Sequence, residues 1–560
     1  MRGPVRLTNT YSKTLEAFEP LGAPVRLYSC GPTVYSFAHI GNFRTFLMAD
    51  LLRRVLDRAG FAVRHVMNIT DVGHMTQDHL ADAAGEDKLA KAARELGWDP
   101  YHVAQHFLDA FVADARALRL RNYSGAEADD PTLHPRATRY IPEMLALIQK
   151  LLERGHAYAD SSGQVYFSIE SFPEYGTLSG KVIDELEAGA RVEVREEKRD
   201  PRDFALWKVD AKHLMQWDPH DPQGWPAEDW ARFQKLLPSG LDARVKKGFP
   251  GWHIECSAMS LACLGETIDL HTGGEDNIFP HHECEIAQSC CALGVEVPGP
   301  TGPRRTFSRF WVHAKHLMVE SRKMSKRDGT FFTVRELLDP VAAGRPELAE
   351  RLTEAGFEGG KVSASVLRLG LMWSHYRAPL NFSFDLLTQA RNAVVRLQSL
   401  YERASELGGG GAVTAGVQQA IDAGIAAFDE ALADDLNLER AMAAVLDLIG
   451  KLNQQPLAPA DGPLVKAALE DLDTVLDVLV KRRMGMVEKA RLAAAEVSAE
   501  ETAALQSGEL DDARIEKLIL ARQSAKKRKD FAAADGLRAW LKERGIVLED
   551  LPAGVRWKTG

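Results

Sequence analysis

Two short strings far apart in the chain, HIGN at His39 to Asn42 and KMSK at Lys323 to Lys326, constrain its fold more than any other feature. The first follows an apolar run, VRLYSC, that ends in Cys30. Turn-forming Gly31 and Pro32 come next, and an amphipathic stretch runs from Asn42 to Arg58. That order predicts a strand, a loop and a helix start. A helix N-terminus offers unpaired N–H groups and a positive dipole end to phosphates, while His39 adds a donor and Gly41 lets a nucleotide approach the backbone. The second string follows another apolar run, Phe310 to Val319, and sets the ammonium groups of Lys323 and Lys326 on a polar loop ending at Gly329. Lys326 can there stabilise charge developing on phosphate oxygens. Either string alone is weak evidence, because four letters match by chance and a basic loop is commonly just solvated. The pair, in order and in context, is specific.

The pair resembles the two signatures of class I aminoacyl-tRNA synthetases. The resemblance implies that His39, Gly41, Asn42, Lys323, Ser325 and Lys326 bind ATP, with His39, Lys323 and Lys326 acting in catalysis, and that an amino-acid carboxylate attacks the α-phosphorus.

A second constellation comprises Cys30, Cys256 in GWHIECSAMS, and His281 and Glu285 in FPHHECEIAQS. The last segment reads as a helix beginning near Pro280, which puts His281 and Glu285 on one face at i, i+4. Two thiolates, an imidazole and a carboxylate form a plausible zinc set. The plainer alternative makes the cysteines small buried hydrophobes and the rest an ordinary polar helix start.

The segments CGPTVYSFAHIGN, NITDV, HPRATRYI, GWHIECS, FPHHECEIAQ, KMSK and FFTVREL look like successive parts of the cysteinyl-tRNA synthetase family, in register from about Tyr28 to Leu338. Similarity resumes more weakly at HYRAPLNFS, FDEALADDLN and KDFAAADGLRAWLKERGIVLED. The resemblance implies one Zn2+ per chain on Cys30, Cys256, His281 and Glu285, ATP with Mg2+ as substrate, and a tRNA-anticodon-binding C-terminal region. A substrate thiolate can coordinate zinc, whereas a serine hydroxyl is far more basic and an alanine side chain has no ligand atom. An apolar pocket separates such near-isosteres by only ~1–3 kcal/mol, and a dedicated polar contact does much better. Glu285 is expected to be the weakest ligand, yielding when the third thiolate enters. For the rest of the cysteine pocket, Asp276 can face the ammonium, Trp252 can close the apolar wall and Thr70 can offer a hydroxyl. Each also reads as an ordinary turn, core or strand-end residue. His271 and His282 are further candidates, for nucleotide contact.

The chain departs from the family pattern in three places. Asn42 stands where the first signature usually has histidine, Arg327 stands where serine usually follows the second, and GHMTQDHLADAAGEDK replaces the usual acidic pair and lysine after NITDV. A Trp- and Pro-rich stretch from His213 to Lys247 has no functional reading.

With 560 residues the chain is long enough for several domains, and it holds no apolar run of membrane-spanning length. No secretion signal is read, and two of six cysteines are assigned to metal, so a reducing cytoplasm fits. A net charge of −10 means that RNA must be held by a local patch. Arg522, Lys526, Lys527, Arg528, Lys529, Arg538, Lys542 and Arg544 offer one, with Trp557 as an aromatic face for stacking. A solvated helix face is the competing reading.

The expected fold is α/β. Residues 1–120 and 251–330 form the two halves of a doubly wound parallel nucleotide-binding sheet, split by a connective insertion over 121–250. A linker contacting the tRNA stem (331–395), an α-helical bundle (396–495) and a small C-terminal anticodon-binding domain (496–560) follow. The chain thus reads as a cytoplasmic, monomeric ligase joining L-cysteine to tRNA(Cys) through a cysteinyl-adenylate, although nothing in the sequence sets the oligomeric state. The alternatives are the related cysteine ligase of mycothiol synthesis and a non-catalytic RNA-binding paralogue.

Overall fold

The computed structural model describes residues 4–77, 84–181, 198–295, 307–323, 330–407, 410–481, 484–507, 510–552 and 554–559. The apolar run before Cys30 is strand β1 (Val25–Ser29), in which only Arg26 faces solvent. Helix α1 (Ile40–Arg58) follows, burying Ile40, Phe43, Leu47, Leu51 and Val55 at helical spacing. Strand β2 (Val63–Met67) completes the first half of the sheet. The second half consists of α2 (Trp252–Leu264), β3 (Ile268–Gly274), α3 (Glu283–Leu293) and β4 (Ser308–Ala314). The four strands form one parallel sheet in the order β4-β3-β1-β2, with Leu270 beside Leu27 and Phe310. Every residue of β3 is buried, as a central strand covered on both faces requires. This is the doubly wound sheet, split by an insertion, that the sequence predicts.

The insertion carries a helix, Ile141–Glu153, and an antiparallel sheet in the order Phe249–Pro250, Phe204–Lys208, Val165–Phe167, Ala157–Ala159. The Trp- and Pro-rich stretch folds locally. Its helix Ala227–Leu236 sets Trp230 and Phe233 against Trp225 with ring centroids 5.3–5.5 Å apart, so its aromatic content fills a small core.

Beyond the sheet, β5 (Leu317–Val319) and β6 (Arg322–Lys323) make a hairpin. After α4 (Ala364–Leu371), strand β7 (Leu380–Phe382) pairs parallel with β5. Four amphipathic helices follow: α5 (Phe384–Glu406), α6 (Ala415–Ala433), α7 (Leu438–Asn453) and α8 (Asp461–Leu476). The first begins ahead of the boundary expected at 396.

A buried polar knot ties α1 to these helices. Asp50 Oδ2 accepts from Arg54 Nε at 2.8 Å and from Arg368 Nη2 at 2.6 Å, and Oδ1 accepts the Arg121 N–H at 2.7 Å. Arg368 is fully buried and also donates to the Leu476 and Leu118 carbonyls, each at 2.8 Å. Arg54 reaches Asp477 at 2.9 Å, and Arg58 binds Asp429 and Asp471, each at 2.6 Å.

The chain divides into two compact units, residues 1–479 and 480–560. In the second, α9 (Asp512–Lys527) and α10 (Phe531–Glu543) accompany an antiparallel sheet in which β10 (Gly554–Thr559) lies between β8 (Met484–Glu488) and β9 (Ile546–Leu551). Because β8 pairs with β10, this unit begins ahead of the boundary expected at 496. Two expectations for it are overturned. Trp557 is only 1% exposed, on the inner face of the sheet with Leu548 and Val555, so it offers no stacking face. Arg522 is buried in a two-pronged pair with Asp550, at 2.9 and 3.0 Å, so it belongs to the core rather than to a free basic patch. Lys527, Arg528, Lys529, Arg538, Lys542 and Arg544 remain exposed.

Candidate metal and adenylation site

Cys30 sits immediately after β1, at the carboxyl end of the parallel strands, where open α/β sheets gather their ligands. Gly31 permits this turn, since a β-carbon there would lie 1.7 Å from the Asn68 carbonyl oxygen. The expected helix start near Pro280 is a wide turn, Ile278–His282, that runs into α3. His281 and Glu285 keep their four-residue relation across it, with Nε2 3.1 Å from Oε1.

Ligand atoms of Cys30, His281, His282 and Glu285 all lie within 4.8 Å of one another, and all four residues are buried. Three of these were expected from the sequence. The fourth, His282, replaces Cys256 in the mutually close group: its Nε2 lies 3.1 Å from Cys30 Sγ, and its Nδ1 lies 2.7 Å from His313 Nε2. Cys256 on α2 hydrogen-bonds to both Cys30 and His281. Two sulfurs, imidazoles and a carboxylate oxygen therefore meet in one buried pocket, a donor set suited to a borderline-soft ion such as zinc.

Further histidines surround these ligands, and of them His253, His74 and His313 had no role in the reading of the sequence. His271 Nε2 holds Glu285 Oε2 at 2.9 Å, which leaves Oε1 turned toward His281. His253 Nδ1 meets His281 Nδ1 at 2.9 Å. Trp252 is stacked between His281 and His74, each at 4.3 Å between ring centroids, and His74 comes from the segment that departs from the family pattern. The available signal was five histidines between residues 253 and 313. His271 and His282, which the sequence offers for nucleotide contact, lie against Glu285 and Cys30.

Charge is uneven in this pocket. Burial pushes the Cys30 thiol up, and the bond from Cys256 and the nearby anions add to this. Burial also pushes Cys256 up, but its bonds to Cys30 and His281 outweigh that and bring it below its usual value. Glu285 falls to about 2, because His271 and His281 outweigh the cost of burial. His281 rises to about 10, as the Cys256 thiolate and Glu285 overcome burial. Burial and the neighbouring imidazoles hold His282 well below its usual value, in the neutral form that binds metals.

Of the expected cysteine-pocket residues, Asp276 lies in the short turn Glu275–Asn277 after β3 and acts electrostatically on Cys30. Thr70 is buried, and its Oγ1 accepts from Asn68 Nδ2 at 3.2 Å.

His39 is the N-cap of α1, which starts at Ile40 rather than Asn42. His39 Nδ1 accepts the Asn42 N–H at 3.2 Å, and Asn42 Oδ1 accepts the His39 N–H at 3.0 Å. The departure at Asn42 thus completes a reciprocal cap, and it leaves the His39 ring proton on Nε2. Gly41 lies in the first turn. The segment after the second signature comes to the same place: the Ile40 N–H donates to the Phe332 carbonyl at 3.0 Å, and His39 bridges to Thr333. Lys323 closes the β5–β6 hairpin through its backbone, while its side chain, Ser325 and Lys326 lie outside the described residues.

Residues 18–345 match the model of the tRNA synthetases class I (C) catalytic domain. The Cysteine–tRNA ligase of Salinibacter ruber is 39% identical over 99% of this chain and 98% of its own length, and that of Symbiobacterium thermophilum is 38% identical over 99% of each. The chain belongs to the class I cysteine–tRNA ligase family. Its likeness to these family members extends through the 480–560 unit as well as the sheet. Among solved structures, the LeuRS of Agrobacterium radiobacter K84, in a ternary complex with tRNA and LeuAMS, superposes with a TM-score of 0.52 at 11% identity over 88% of this chain and 95% of that one. That likeness concerns the fold alone.

Proposed function

We propose that the chain joins L-cysteine to tRNA(Cys) with ATP, through a cysteinyl-adenylate. One observation carries this: Cys30, His281 and Glu285 converge beside the helix that His39 opens, in a chain of this family. ATP would lie over the N-terminus of α1, with His39, Gly41 and Asn42 on one side and Lys323, Ser325 and Lys326 on the other. Cys30, Cys256, His281 and Glu285 would hold zinc, which when bound supplies a ligand position that accepts a thiolate and discriminates against a hydroxyl. His282 is poised as a competing donor. Anchored to His271 by Oε2, Glu285 can loosen Oε1 without leaving the pocket. Asp276 would face the substrate ammonium, Thr70 would offer its hydroxyl, and Trp252, fixed between His74 and His281, would close the wall over the small side chain. Catalysis is then positioning and charge stabilisation. The exposed cations of the 480–560 unit are the surface offered to the anticodon region.

The test is cysteine-dependent ATP–pyrophosphate exchange followed by charging of unfractionated tRNA, with serine as the competitor. Exchange with cysteine, none with serine and stable cysteinyl-tRNA support the reading. Exchange without charging, together with transfer to a glucosaminyl-inositol, would establish the mycothiol-type ligase instead. No exchange at all would leave the non-catalytic paralogue.

A further inference from the structure

The hairpin that leads into the second signature turns through an unfavourable backbone. Strands β5 and β6 pair Val319 with Arg322 and Met318 with Lys323, leaving a two-residue turn of Glu320 and Ser321. Both turn residues have positive φ, 49° and 63°, and neither is glycine. A two-residue hairpin with both central residues left-handed is the geometry that Asn-Gly adopts readily. Side chains with a β-carbon resist it, so something outside the turn must hold it.

Strand β7 provides that hold. It runs parallel to β5 with Asn381 beside Met318. The Glu320 N–H donates to the Phe382 carbonyl at 3.1 Å, and the Ser321 N–H donates to Asn381 Oδ1 at 2.6 Å. Packing does not substitute for these bonds. A cavity of about 140 Å³ adjoins the turn, lined by Val319, Glu320, Phe332, Arg351, Phe382 and Phe384. Asn381 is itself solvent-exposed, so burial does not account for an amide at this place.

We infer that Asn381 is a positioning residue for adenylation: by accepting the Ser321 N–H it fixes the left-handed turn, and through the turn it sets the register in which β6 presents Lys323. The inference rests on the adenylating reading above. It assigns Asn381 no contact with substrate.

The experiment uses the full-length, metal-loaded chain and cysteine-dependent pyrophosphate exchange. Asn381→Ala should lower kcat about tenfold, the effect of losing one hydrogen bond of about 1.4 kcal/mol, and leave the KM for cysteine within about twofold. The decisive variant adds Glu320→Asn and Ser321→Gly to Asn381→Ala. An Asn-Gly turn adopts the same backbone unaided, so kcat should return to within about threefold of the unsubstituted chain. A role for Asn381 in packing or in substrate contact would not be rescued by changing the turn. Unchanged exchange in Asn381→Ala overturns the inference, and so does a loss that the Asn-Gly turn does not restore. Absence of exchange in the unsubstituted chain would refute the adenylating reading itself, a separable outcome.

Discussion

Two buried polar clusters lie in the first unit, one around Asp50 in α1 and one around Cys30 after β1, and they differ in how completely they satisfy themselves. Around Asp50, both carboxylate oxygens accept, and the two arginines on Oδ2 find further acceptors at Asp477 and at backbone carbonyls. Nothing in that knot is left for a ligand. Around Cys30, a thiol, two imidazoles, one of them held neutral, and a carboxylate oxygen all lie within 4.8 Å of one another, a set of potential metal ligands rather than a closed network. Burial of polar groups is thus not itself the mark of a site. A balanced cluster fixes structure, and an open set of ligand atoms calls for a cation.

The comparison breaks if variants in the two clusters fail in the same way. Cys256→Ser should lower cysteine-dependent exchange by more than ~10³-fold and reduce zinc from about one per chain to a trace. Its melting temperature should stay within ~2 °C of chelator-treated, unsubstituted protein, because the fold does not rest on that cluster. In the unsubstituted chain, zinc uptake near neutral pH should release about two protons, from His281 and from the thiol held protonated, as titration calorimetry in buffers of different ionisation enthalpy would show. Release of none would mean that the site is charged differently from this description.

Asp50→Ala should instead cost about 3–5 kcal/mol of stability, leaving Arg368 and Arg54 buried without their anion, with activity lost only as folded protein is lost. Denaturant unfolding with and without zinc measures this, and an Asp50→Ala chain as stable as its parent removes the structural half of the comparison. Acid gives a milder version. Although burial opposes it, Arg54 and Arg368 hold the Asp50 carboxyl at about 2 against an ordinary 3.8. Its contribution, about 2 kcal/mol, is therefore complete above pH ~4 and disappears as pH falls from there through ~2. The Asp50→Ala variant should lack this step in its acid titration. The smallest effect is expected for Asp471→Asn, where Asp471 is 47% exposed, Arg58 keeps Asp429 and screening by water limits the loss to about 0.2–1 kcal/mol.

Legibility in the sequence followed the range over which each signal acts. The β1–α1 unit was readable because an apolar run, a turn and helical periodicity are local; the helix starts two residues early only because the His39 side chain caps it. Cys30, His281 and Glu285 were readable as a pattern of residue types. The placement of the neighbouring histidines was not, since His271, His282 and His313 meet only once β3, the turn before α3 and β4 are assembled, and no helical or strand period relates them. Trp557 and Arg522 were misjudged for the opposite reason. Composition marks them as aromatic and basic, but pairing of Trp557 with Leu548 and of Arg522 with Asp550 turns both inward.

The split sheet also imposes a timetable on synthesis. β1 leaves the ribosome with its edge bare, and its neighbour β3 is about 240 residues behind it. At ~5–20 residues per second, that edge waits roughly 10–50 s for its partner. Until Cys256 emerges at the very end of this interval Cys30 has none of its companions, and His281 and Glu285 follow later still, so metal cannot guide the early steps and can enter only a nearly finished catalytic unit. A nascent chain of this kind needs its first strands shielded during the wait, and its cysteine-rich pocket is safest from stray metals and oxidants because it does not yet exist.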